Sequence, residues 1–170
     1  PYTWGTVGIF YNKTMVDEAD VADKSWDLLW NEKYAGEILM FNNSRDALAI
    51  AMQRLGIDPS NPSKEDIDKA CELLKEQKPL VQNYVMDQVY DMMECDQSAI
   101  APYYAGDIYY MMDNNDALNY CLPEEGTNFF VDAMCIPSCA QNKELAEMLK
   151  QVADEHKDVY FGHATGFTRT

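Results

Sequence analysis

The stretch Glu37-Ile38-Leu39-Met40-Phe41-Asn42-Asn43-Ser44-Arg45-Asp46-Ala47-Leu48-Ala49-Ile50-Ala51 decides the fold. Glu37 to Phe41 is a short apolar run bounded by Gly36 and Asn42, the signature of a buried strand. Asn42-Asn43-Ser44 is a polar turn. A helix then runs through Ala47, Leu48, Ile50, Ala51 and Leu55 until Gly56 stops it. Strand, polar turn and helix in immediate succession mark the place where α/β proteins expose side chains and backbone N–H groups to ligands.

The flanking sequence repeats this alternation. Towards the N-terminus, Val7 to Tyr11 is β-rich and ends at the turn signal Asn12-Lys13, and Ser25 is placed to cap a helix through Trp26, Leu28, Leu29 and Trp30. Towards the C-terminus, Asp58-Pro59-Ser60-Asn61-Pro62 is a loop. Ser63 and Asp66 form a capping box with the shorter acid, opening a helix that stops before Pro79. Val81 to Met93 reads mostly as helix. Ala99 to Tyr104 reads as a strand ending at Ala105-Gly106-Asp107, with a helix over Ile108 to Met112. Leu118 to Leu122 and Asn128 to Ile136 read as two further strands, the second closed by Pro137. Asn142 opens an amphipathic helix carrying Leu145, Met148, Leu149 and Val152. Strands alternating with helices predict an α/β sheet.

The 170 residues suit one domain, and 47% hydrophobic content predicts a globular chain. No run of roughly 18 apolar residues is available to span a membrane. The chain opens at Pro1 without a leader-like stretch, which reads as a mature product or an excised piece. The formal charge of −16 argues against nucleic acid as a partner, because phosphates would be repelled. It suits a cationic ligand, although many proteins are acidic simply to stay dispersed.

The five cysteines include no C-x-x-C pair. Cys71, Cys95, Cys121, Cys135 and Cys139 are expected to be small buried hydrophobes, and Cys135 and Cys139 lack a neighbouring His to make a zinc site. His156 and His163 read as exposed tail residues. No Walker loop, G-x-S-x-G or G-x-G-x-x-G occurs, so neither a catalytic residue, a metal nor a cofactor is expected.

Acids and aromatics gather at the predicted carboxyl ends of strands. Asp46 lies one turn into the helix after Asn43, and Tyr103 and Tyr104 precede Gly106-Asp107. Phe130 and Asp132 share one strand face, with Phe129 and Val131 on the other. An acid and a ring on one face suit an alkylammonium ligand: the carboxylate accepts charge-assisted hydrogen bonds and the ring attracts the cation. By pattern alone, core packing is the favoured account of these aromatics. Asp132 inside an apolar strand is expected to need a partner, because burying it alone is costly.

Three stretches together resemble the spermidine/putrescine-binding proteins of bacterial ABC transporters. Pro1-Tyr2-Thr3-Trp4-Gly5-Thr6-Val7-Gly8-Ile9 is similar to the strand that enters their second lobe from the hinge. Ser25-Trp26-Asp27-Leu28-Leu29-Trp30 with Lys33-Tyr34-Ala35-Gly36 is similar to their tryptophan-rich helix and turn. Glu124-Glu125-Gly126-Thr127-Asn128-Phe129-Phe130-Val131-Asp132-Ala133-Met134-Cys135-Ile136-Pro137 resembles their late binding-site strand. The resemblance implies one lobe of a periplasmic-binding-protein-like α/β fold, with a mixed, mostly parallel sheet flanked by helices. It would span residues 1–151 and leave residues 152–170 as an unmatched tail.

The same resemblance implies a non-catalytic, extracytoplasmic solute-binding protein. Its partners would be a polyamine, a membrane permease and an absent first lobe that supplies the opposing wall. Asn43 and Asp46 match positions that bind a terminal ammonium, Tyr104 and Phe130 match aromatic walls, and Asp132 matches the acid that takes an inner amine. Tyr103 and Asp107 are secondary candidates. Asn43 stands where an acid is common, and Phe130 where Trp is frequent. Another solute of the same superfamily, a protein-interaction module and an enzyme lobe using Asp132 are the alternatives.

Overall fold

Strand β1 (Thr3–Asn12) organises the molecule, whose computed structural model describes residues 3–155. Ile9 and Phe10 are fully buried within it. β2 (Ile38–Phe41) is buried at every position, as a strand covered on both faces must be, which explains its uninterrupted apolar sequence. With β3 (Val81–Val85), β4 (Ile100–Tyr104), β5 (Leu118–Cys121) and β6 (Phe129–Asp132) it forms a six-stranded sheet in the order β3-β2-β4-β1-β5, with β6 also on β1. β2 is parallel to β3 and β4, whereas β1 is antiparallel to β4, β5 and β6. Five strands therefore run one way and β1 alone runs against them: the sheet is mixed and mostly parallel, as expected.

β5 and β6 pair with successive stretches of β1, Ile9–Asn12 and Thr3–Thr6. Alternation of the β1 backbone puts both on one edge. The Val7 and Lys13 N–H groups reach Asn128 O and Ala117 O, while that of Asn12 reaches Ala99 O at the β4 side. Tyr120 on β5 lies so close over Gly8 that any side chain there would collide with its ring.

Helices α1 (Glu18–Val21), α2 (Ser44–Arg54), α3 (Lys64–Gln77), α4 (Val89–Glu94), α5 (Ala105–Asn114) and α6 (Lys143–Glu155) flank the sheet. The main core joins Ile9, Ile38, Leu39 and Ile100 of the strands to Trp26, Met93 and Ile108, and a smaller cluster ties α2 to α3 through Ala51, Met52, Ala70 and Leu73. The predicted Ser63/Asp66 capping box is present at the start of α3. Ser25 does cap its segment, but Trp26–Trp30 winds as a 3-10 helix. α6 presents Leu145, Met148 and Leu149 to solvent, each more than half exposed.

Four expectations need correction. Val81 to Met93 is not mostly helix: Val81–Val85 is β3, the parallel neighbour of β2, and the helix begins only at Val89. The spacing of Val81, Val85 and Val89 imitates a helical face, and pairing with β2 overrides it. The strand predicted over residues 128–136 covers only Phe129–Asp132. Asp132 is exposed rather than buried. Among the cysteines only Cys121 is buried, while Cys95, Cys135 and Cys139 are exposed, Cys95 just after α4 and the other two in the segment joining β6 to α6. His156 and His163 lie outside the described residues.

Candidate ligand-binding site

Because β2, β3, β4 and β6 run the same way, their carboxyl ends meet at one end of the sheet, together with the N-termini of α2 and α5. An open groove of about 1960 Å³ lies there, lined among others by Asp46, Tyr104, Asp107, Phe130 and Asp132. Six of its lining residues are acids (Asp46, Asp58, Asp107, Asp113, Glu125 and Asp132), against the single cation Arg45. The field in such a concave, one-signed surface favours a cation over an anion.

Asn43 is the N-cap of α2 and uses both ends of its amide. Its Oδ1 accepts from the Arg45 N–H at 3.0 Å, and its Nδ2 donates to Asp46 Oδ2 at 2.8 Å. Asp46, in the first turn of α2 where the helix dipole favours an acid, is only 4% exposed. Its Oδ2 also accepts from the Tyr104 hydroxyl at 2.8 Å, and its Oδ1 from Asn128 Nδ2 at 3.1 Å. Three donors thus converge on a carboxylate that offers about four acceptor positions.

Tyr104 ends β4. Burial first, and then its hydrogen bond to Asp46, hold its phenol well above the ordinary value, so at neutral pH it is a donor. Its ring meets that of Phe130 edge-on at 5.4 Å. Tyr103 is buried in the core, 3% exposed, and burial pushes its phenol up to about 12. Rings continue from Tyr103 to Tyr90 at 6.2 Å and on to Tyr110 at 6.0 Å. The Tyr90 hydroxyl donates to Asp107 Oδ1 at 2.7 Å, in the first turn of α5. Burial raises the Asp107 carboxyl above its usual range; the Tyr90 hydrogen bond opposes this and the charge of Asp87 adds to it.

Asn43, Asp46, Tyr104 and Phe130 are therefore in one contact chain, and Asp132 and Asp107 line the same groove. Asn128, Gln53 and Tyr90 belong to this setting without having been picked out from sequence. The Gln53 Nε2 donates to Asn128 Oδ1 at 3.2 Å. Gln53 lies seven residues beyond Asp46, two helical turns along the same face, and that polar recurrence was the available signal. Asn128 is delivered by a loop stapled to the 3-10 helix: Trp26 Nε1 donates to Gly126 O at 2.9 Å, and the Glu125 carboxylate accepts from the Ser25 hydroxyl and the Trp26 N–H. Among the described residues no group of His, Cys, Asp and Glu is arranged to hold a metal ion.

Comparison with known proteins identifies the family of the chain. The family model for bacterial extracellular solute-binding proteins matches residues 1–152. The chain is 27% identical over 164 residues to the spermidine/putrescine-binding periplasmic protein of Escherichia coli, covering 91% of this chain and 47% of that one. It is 28% identical over 159 residues to the putrescine-binding periplasmic protein SpuD of Pseudomonas aeruginosa, covering 85% and 43% respectively. The crystal structure of the spermidine/putrescine ABC transporter substrate-binding protein PotD from Streptococcus pneumoniae superposes with a TM-score of 0.75 at 31% identity, over 90% of this chain and 46% of that one. The chain thus spans about half the length of the curated relatives it matches. On the match over residues 1–152 and the agreement in fold, the chain belongs to the bacterial extracellular solute-binding protein family.

Proposed function

We propose that this chain is one lobe, over residues 1–151, of an extracytoplasmic binding protein that captures a polyamine of the spermidine/putrescine class for an ABC importer. The observation that carries the reading is the groove itself, in which carboxylates alternate with rings. Asp132 lies beside Phe130, Asp46 beside Tyr104 and Asp107 beside Tyr90, and acids outnumber cations six to one. A polyamine alternates ammonium groups with methylenes in the same way. Each ammonium would meet a carboxylate, and each methylene run would lie against an aromatic face. The last acceptor position of Asp46 would take a terminal ammonium, and exposed Asp132 an inner one. A sugar would leave these charges unanswered, and an anion would be repelled.

No chemistry on the ligand is required. The length that the relatives have beyond this chain would supply a second lobe, and the ligand would bridge both lobes and hold them closed for docking on a membrane permease. Exposed ion pairs contribute about 0–1 kcal/mol and exposed cation–π contacts about 0.5–1 kcal/mol, so one lobe alone would bind on the order of millimolar. The test is calorimetric titration of the full-length protein with spermidine and putrescine at two salt concentrations, beside Asp132→Asn. Salt-sensitive binding that weakens about tenfold or more in the variant is expected. Absence of any heat with either polyamine would overturn the reading.

A further inference from the structure

Gln53 is 6% exposed at the groove floor, and its Oε1 has no hydrogen-bond partner among the described residues. An unsatisfied buried carbonyl oxygen destabilises a fold, and an apolar side chain of similar length would remove the penalty. The other end of the same amide is committed: Nε2 donates to Asn128 Oδ1 at 3.2 Å. Accepting there fixes the orientation of the Asn128 amide, so that its Nδ2 faces Asp46 Oδ1 at 3.1 Å. Without Gln53 the Asn128 amide keeps only its bond to Asp46 and loses the second anchor that sets its position and angle. Gln77 provides a contrast. Its Oε1 is likewise without a partner among the described residues, but its Nε2 goes to Leu29 O in the core, away from the groove.

We infer that Gln53 and Asn128 are positioning residues for Asp46, held at the expense of stability because together they aim the carboxylate that receives the ligand. This rests on the polyamine reading above for the identity of the ligand. Gln53 touches no ligand in this scheme, since its free oxygen is shielded and its amide acts only through Asn128.

The test uses the full-length protein with spermidine as probe. Gln53→Met is expected to melt at or above the wild-type temperature while losing affinity about fivefold, and Asn128→Ala to lose a similar factor. Gln77→Met is the control, with affinity unchanged. In an Asp46→Asn background, Gln53→Met is expected to add no further loss, because the carboxylate it serves is gone. Affinity equal to wild type in Gln53→Met, a parallel fall in melting temperature and affinity, or an undiminished loss in the Asp46→Asn background would each overturn the inference. If the wild-type protein binds no polyamine, the reading of the ligand fails, and NMR of the side-chain amides decides the positioning role by itself. Asn128 amide protons that move on Gln53→Met support it, and protons that stay in place overturn it.

Discussion

Asp46 and Asp132 line one groove in opposite settings. Asp46 is buried, opens a helix and accepts from three side chains on three different segments. Asp132 is exposed at the end of β6, which pairs only with β1 among the described strands. The first acid is part of the architecture and the second is presented by it. A buried carboxylate with converging donors is rigid before any ligand arrives, so little order is lost on binding there. An exposed one contributes through charge and is screened by salt. The difference teaches that, in the proposed site, a ligand would be anchored at a prebuilt point and its length accommodated at an open one.

The comparison breaks most visibly at Asp46. Asp46→Ala leaves three donors without their acceptor and is expected to cost about 3 kcal/mol or more. That corresponds to a fall in Tm on the order of 10 °C, together with loss of polyamine binding. Asp132→Asn, at an exposed position, should lower Tm far less, so equal melting curves for the two variants would erase the distinction.

Asp107 sharpens it through pH. Its carboxyl is raised in the folded state, chiefly by burial. The native protein therefore binds that proton more tightly than the unfolded chain does. The associated stability is full below the ordinary carboxylate value of 3.8 and is lost as pH rises through the raised one. Asp107→Asn is expected to unfold later than wild type at pH 7, with the gap closing towards pH 3, in thermal melts across that range. A gap independent of pH would assign the effect to packing. The smallest effect belongs to the open wall. Phe130→Trp strengthens the cation–π partner there and should raise spermidine affinity about twofold with Tm unchanged, read by calorimetry.

Much of the closed side was legible in the sequence. The apolar run Ile38–Phe41, the cap at Asn43 and the acid at Asp46 are local signals within one short stretch, and local physics suffices to read them. The Ser63/Asp66 box was legible for the same reason. The open side was harder, because its features depend on pairing. The residues Val81, Val85 and Val89 carry a helical spacing, and only adjacency to β2 makes the first five residues of that segment a strand. β6 depends on pairing with β1, 123 to 129 residues away in the chain, and no local pattern sets its length or the exposure of Asp132. Asn128 reaches Asp46 across 82 residues of chain through a loop stapled by Trp26, and no periodicity announces such a contact.

The cap residue of α2 has an evolutionary consequence. Asn43 secures the helix through its oxygen and neutralises demand at Asp46 through its nitrogen. Aspartate caps a helix as well as asparagine does, and the two are separated by one nucleotide in the code. A lineage can therefore exchange a neutral donor for a second negative charge at the proposed anchoring point while the helix start is preserved. Charge at this locus can change without a change in the helix that carries it.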